Sequence, residues 1–366
     1  MDLKRLWRCT GPVGSLLALG AFASAALAQA PSTVVMSGLD NPRGLAVAAN
    51  GALYVAEAGH GGAGPCIVNP GTNETRCYGT SGAISRLWRG QQSRIVEGLP
   101  SHALPDGSSA SGPNDIGMLG NGGAYVTLGL GGGPAFREAL GCNPCGSLIR
   151  LAPSGQWQVV TDVAQYEYAN NPAGGPVDSN PFGLLAEPGG VFLADAGANA
   201  LYHVAANGAI ETVSLFPSQA NPTPVGPPMI EPVPTSVTRA TDGTLYVGQL
   251  TGFPFVKGLA SIFRVVPGQD PEVHCSGFKT IIDIAAGPDG SLYVLENATS
   301  PPGMLLPPFL PNSGKLTRVA ANCEKTTILT ALDRPTSVAV GADGAVYVTN
   351  HGITPGAGQV LRVAAL

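Results

Sequence analysis

Six times along the chain a turn pair is followed by an alternating apolar triplet with an aromatic or apolar centre. The copies are Asn50-Gly51 with Leu53-Tyr54-Val55, Asn121-Gly122 with Ala124-Tyr125-Val126, and Pro188-Gly189 with Val191-Phe192-Leu193. Asp242-Gly243 with Leu245-Tyr246-Val247, Asp289-Gly290 with Leu292-Tyr293-Val294, and Asp343-Gly344 with Val346-Tyr347-Val348 complete the set. Asn-Gly and Asp-Gly reach positive φ easily, so each pair predicts a two-residue hairpin between two strands. A short apolar segment precedes each turn. A third strand follows, with a basic residue in one fixed column: Arg86, Arg150, His203, Arg264, Arg318 and Arg362. This column reads as structural, paired to backbone or carboxylate, and not as a basic binding face. A fourth strand follows in five copies.

The sixth copy ends after its third strand. Val35-Met36-Ser37-Gly38-Leu39 parallels Ile95-Val96-Glu97-Gly98-Leu99, the fourth strand of the first copy. Residues 32–39 therefore complete the last unit, and a ring closed this way leaves no long unpaired edge. The expected fold is all-β: a six-bladed β-propeller over residues 29–366, its last blade closed by the N-terminal strand. A sandwich of two or more domains is the rival. It requires a linker, and none is visible between Val34 and Leu366.

Composition agrees. Gly (51) and Pro (33) are together roughly double their usual share, and charged residues at 12% are about half theirs. Helix bundles, coiled coils and disordered chains are excluded by these values together with 44% apolar residues. Lys4, Arg5 and Arg8, then an apolar run from Gly14 to Ala28, read as a signal peptide over residues 1–28, too short for a convincing membrane span. Its removal takes Lys+Arg from 19 to 16 and Asp+Glu from 24 to 23, leaving a net charge of −7. Such a surface suits neither nucleic acid nor an anionic membrane. Six cysteines then remain, an even number in a secreted or periplasmic chain. Cys66 with Cys77, Cys142 with Cys145, and Cys275 with Cys323 are the expected disulfides. A four-thiolate zinc site from Cys66, Cys77, Cys142 and Cys145 is the rival, without ribbon-like spacing.

Alignment of the copies gives two sets near one face of the ring. The first-strand starts are Gly44, Asp115, Gly183, Ser236, Asp283 and Ser337. Asp115 and Asp283 are three blades apart and should face each other across the axis. The second-strand ends are Glu57, Leu128, Asp195, Gln249, Glu296 and Asn350. Carboxylates gathered around a mouth suit a hard cation such as Ca²⁺, or acid–base chemistry, or simply a water-filled channel. His60 and His351, on neighbouring blades, are a weaker candidate pair. The loops above the mouth include two apolar stretches, 252–258 and 300–313. Phe253, Phe255, Met304, Leu306 and Phe309 are the candidate lid. No nucleophile elbow, phosphate loop or His-Glu-x-x-His motif occurs.

The stretches YVTLGLGGGPAFRE (125–138), DSNPFGLLAEPGGVFLADAG (178–197), PVPTSVTRATDGTLYVGQLTGFPF (232–255) and IIDIAAGPDGSLYVLE (281–296) resemble the ScyD/ScyE family. The resemblance covers nearly the whole chain beyond residue 28 and implies an exported propeller, without an established reaction or catalytic residues. NPRGLAVAANGALYVAEAG (41–59) also resembles NHL-type blades and quinone-dependent sugar dehydrogenases. The leading expectation is a monomeric, non-enzymatic propeller that binds a small molecule or protein partner at the mouth. A metal-dependent hydrolase or lactonase using Ca²⁺ is the alternative, and a quinone-dependent oxidoreductase the third.

Overall fold

The computed structural model describes residues 29–120, 123–299 and 309–364. The leader reading, the Asn121-Gly122 turn, Met304 and Leu306 lie outside the described residues. Six four-stranded antiparallel blades are arranged as a propeller. Blade 1 comprises Pro42–Val47, Leu53–Glu57, Glu74–Trp88 and Gln91–Ala103, with a short extra strand Cys66–Asn69. Blade 2 comprises Pro113–Leu119, Gly123–Leu128, Ser147–Leu151 and Trp157–Asp162, and blade 3 Pro181–Glu187, Gly190–Asp195, Ala200–Ala205 and Ile210–Leu215. Blade 4 runs through Pro234–Arg239, Leu245–Gln249, Ala260–Val265 and Glu272–Phe278. Blade 5 runs through Ile281–Ala286, Leu292–Glu296, Gly314–Val319 and Lys325–Leu332. Blade 6 has Val338–Val340, Val346–Asn350 and Gly358–Val363, and its fourth strand is Ser32–Leu39 from the other end of the chain. That strand runs antiparallel to the third, from Ser32 opposite Val363 to Leu39 opposite Gly358.

The apolar triplets build the interior. Six buried clusters each span one pair of neighbouring blades, from Val126 and Ile84 between blades 1 and 2 to Met36 and Val55 between blades 6 and 1. In every blade the aromatic or apolar centre of the triplet pairs across the ladder with the basic column, as Tyr54 with Arg86 and Tyr293 with Arg318.

The hairpins differ from expectation in one respect. In blades 1, 4, 5 and 6 the connection has three residues: Gly51, Gly243, Gly290 and Gly344 donate to the carbonyl three residues back, and the ladder closes one residue later. The Asn or Asp oxygen accepts the N–H two residues on, as Asn50 does from Ala52 and Asp289 from Ser291. That side-chain bond stabilises a type I turn, and the glycine follows in the left-handed region. Among the described residues, Pro188-Gly189 of blade 3 makes the two-residue turn, with Glu187 paired to Gly190.

All three expected disulfides form: Cys66–Cys77, Cys142–Cys145 and Cys275–Cys323. The Gly-rich segment over blade 2 is not all loop. It contains a short helix, Pro134–Leu140, that caps a satellite core of Leu130, Phe136, Cys142 and Cys145. A second helix, Val163–Asn170, lies between blades 2 and 3. No helix among the described residues is long and apolar enough to cross a membrane.

Candidate functional site

The first strands converge on the axis at the face bearing the long loops, here the upper face. A register shift sits near the start of the first strand in blades 1 to 5, and such bulges re-aim side chains. Gly44, Asp115, Gly183, Asp283 and Ser337 of the first set meet the next blade. A Cβ at Gly44 would collide with Asp115, and one at Gly183 with the backbone of Thr235 and Ser236. Asp115 accepts the N–H of Leu184 in blade 3 at 2.7 Å. Asp283 accepts Ser337 Oγ and the N–H of Val338 in blade 6 at 2.6 and 2.8 Å. The residue just before the position in blades 2, 4 and 6 adds further bonds between blades. Asn114 donates to the carbonyl of Pro181, Thr235 to Ile281 and Thr336 to Pro42, joining alternate pairs of blades.

The second set behaves differently. Glu57 Oε2 accepts the N–H of Asp40, Asp195 Oδ1 that of Asn180, Glu296 Oε1 that of Lys279 and Asn350 Oδ1 that of Asp333. In blades 1, 3, 5 and 6 the end of strand two thus clasps the segment that enters strand one. These side chains are buried inside their own blades. Leu128 and Gln249, also buried, occupy the same position in blades 2 and 4. The structure therefore divides the candidates: Asp115 and Asp283 lie towards the axis, whereas Glu57, Asp195, Glu296 and Asn350 are clasps.

The carboxylates do not fit a hard-cation site. Both oxygens of Glu57, Asp115, Asp195 and Asp283 already accept from protein donors, and Glu296 accepts the Lys279 N–H on Oε1 and ion-pairs with Lys315 through Oε2. A Ca²⁺ ion takes about six to eight converging oxygens. Among the described residues, the group of three His, Cys, Asp or Glu side chains whose ligand atoms converge within 4.8 Å is His274, Cys275 and Cys323, where both cysteines form a disulfide. His60 and His351 each face an aspartate near their own blade, Asp40 and Asp333, at 3.2 Å.

Burial raises several acids instead. It pushes the Asp115 carboxyl well above the usual range, helped by the charge of Asp283, and raises Asp283 as well. Burial also lifts Glu167 to about 7 and Asp178 to about 6. A folded-state pKa above the unfolded value favours the native state at low pH and loses that contribution as pH rises through the folded value. His102 opposes them: burial lowers it to about 3, so it costs stability once the unfolded chain begins to protonate below about pH 6.5. These raised acids outnumber His102, so melting temperature is expected to fall by several degrees as pH rises from about 5 to about 8. A melting series that climbs from about pH 6 to pH 8 would contradict this.

The apolar loop of blade 4 forms an aromatic row on the upper face. Phe253 is 55% exposed. It meets Phe255 edge-on at 6.3 Å, and Phe255 meets Phe309 edge-on at 4.7 Å. Lys279 Nζ stands 4.8 Å and Arg334 Cζ 5.4 Å from the Phe309 ring centre. Lys279 is fully buried, and among the described residues its Nζ has no hydrogen-bond partner. Sequence reasoning found the phenyl groups and missed both cations. The signal was available: beyond residue 28 every lysine lies between 257 and 325.

No family model matches the chain, and no curated protein does. Solved structures do. Regucalcin from Agrobacterium tumefaciens, a calcium-binding protein, superposes with a TM-score of 0.54 at 12% identity, over 92% of this chain and 94% of its own. Luciferin-regenerating enzyme gives 0.53 at 10% identity, over 92% and 96%. A protein provisionally assigned as a gluconolactonase gives 0.51 at 9% identity, over 91% and 92%. At these identities the likeness establishes the six-bladed propeller and nothing finer.

Proposed function

We propose that this chain is an exported propeller of the ScyD/ScyE kind that binds a partner through an apolar or aromatic group at the Phe253–Phe255–Phe309 row, without catalysing a reaction. The observation that carries the reading is Phe253, a large ring left 55% exposed at the head of a row of packed rings. Exposed aromatic groups ordered in this way favour binding, because little side-chain entropy is lost on contact. The three disulfides support an oxidising compartment. The lactonase alternative draws on the fold shared with regucalcin and the gluconolactonase-assigned protein, but the mouth carboxylates already engage protein donors.

Two measurements test the proposal. Metabolites that co-purify with the protein from culture supernatant are expected to be depleted at least about tenfold in Phe253→Ser/Phe255→Ser, corresponding to two lost ring contacts. Equal recovery from both proteins would defeat the binding reading. Melting in EDTA and in millimolar Ca²⁺ is expected to coincide. A rise of several degrees with Ca²⁺ would favour the metal-dependent alternative.

A further inference from the structure

We propose that the cleft between blades 1 and 2 on the lower face, opposite the aromatic row, is a second binding site, which takes a small apolar carboxylate on Arg86. The six repeats provide the comparison. In blade 5, Arg318 is clasped from two sides: its NH2 donates to Asp289 Oδ2 and its Nε to Ser291 Oγ at 3.1 Å. Arg86 occupies the same place in blade 1, opposite Tyr54 as Arg318 is opposite Tyr293. Four and two residues before Tyr54, however, stand Asn50 and Ala52 instead of Asp289 and Ser291. An asparagine whose oxygen already accepts the Ala52 N–H offers only an amide donor, and alanine offers nothing. Among the described residues the Nε of Arg86 is accordingly buried without a partner. An unpaired buried donor is costly, more so when charged.

The space beside this guanidinium is open. A cavity of about 190 Å³ is lined by Arg86 and Tyr54, with Ile84, Val96, Ile116 and Met118 among its apolar walls. It adjoins a broader groove of about 740 Å³ along Arg150 and Trp157, which shares Leu151 to Pro153 with it. The smaller cavity lies below the roughly 300–1,000 Å³ of drug-sized pockets, so its occupant is small. Apolar walls around one unpartnered guanidinium select an apolar body with a single anionic head, because a planar carboxylate matches the fork of arginine donors. The proposal does not depend on the upper-face reading.

The test uses the full chain with benzoate as the probe, benzamide as its neutral counterpart and acetate as the charge without the ring, followed by calorimetry and saturation-transfer NMR. Benzoate is expected to bind at least about tenfold more tightly than either of the others, the gain of a charge-assisted hydrogen bond. Asn50→Asp/Ala52→Ser rebuilds the blade 5 clasp around Arg86. It should abolish benzoate binding while melting no lower than the parent. Arg86→Met should also lose binding and serves if the rebuilt clasp does not fold. Equal affinity for benzoate and benzamide, undiminished binding by the rebuilt clasp, or no benzoate binding at millimolar concentration would each overturn the proposal.

Discussion

Deletion of residues 32–39 is expected to abolish the cooperative unfolding transition, not merely to shorten one blade. The strand fills an internal position although it comes from the far end of the sequence. Met36 and Leu39 are both 1% exposed and belong to the cluster between blades 6 and 1 with Val55 and Val360. Losing two such side chains removes about 3–6 kcal/mol of burial. The deletion also strips the Gly358–Val363 strand of its outer ladder partner and opens a long edge. Those losses alone rival the roughly 5–15 kcal/mol that holds a domain folded. Circular dichroism melting of the deleted chain checks this; a curve that overlays the parent would refute closure by this strand. Met36→Ala/Leu39→Ala, which keeps the ladder, should fall between the two.

The closing strand was legible because its signature is local: a five-residue match to the fourth strand of another copy. The disulfides were legible for a similar reason, since two of the pairs are close in sequence and the third is what remains. Side-chain direction was not. Glu57, Asp195, Glu296 and Asn350 looked like a mouth-facing ring because they follow an apolar triplet. Their orientation depends instead on a backbone N–H 15 to 17 residues upstream. Such a partner leaves no mark in the local pattern. The turn lengths were misjudged for a related reason. Asn-Gly and Asp-Gly encode the glycine conformation, but the extra residue is imposed by the Asx oxygen bond to the N–H beyond it. The helix Pro134–Leu140 was hidden by its glycine-rich surroundings, although Pro134 near its start and a left-handed Gly141 after its end are conventional helix boundaries.

Arg94→Met is expected to be the most damaging single substitution outside the apolar interior, and its cause links the clasp to ring closure. Arg94 lies on the fourth strand of blade 1 and contacts Glu57 through Nε at 3.1 Å and NH2 at 2.7 Å. Its NH2 also reaches Asp40, the residue that follows the closing strand, at 3.1 Å. Two residues earlier, Gln92 accepts from and donates to the backbone of Ser37 within that strand. Blade 1 therefore grips the strand that completes blade 6. Glu57 is fully buried, and without Arg94 its charge keeps only the Asp40 N–H and the Ser85 hydroxyl. Removing one partner of a buried pair costs about 3–5 kcal/mol, and partial solvent access to Arg94 places this case near the lower end. A fall of about 5 °C in melting temperature follows for a domain of this size. Two controls separate stranded charge from lost packing. Arg94→Met/Glu57→Gln should recover much of the loss, since no charge is then stranded. The deficit of the single variant should also shrink towards about pH 5, because an unpaired buried carboxylate is stabilised by taking up a proton. A deficit that persists unchanged in both tests would assign the role of Arg94 to packing alone.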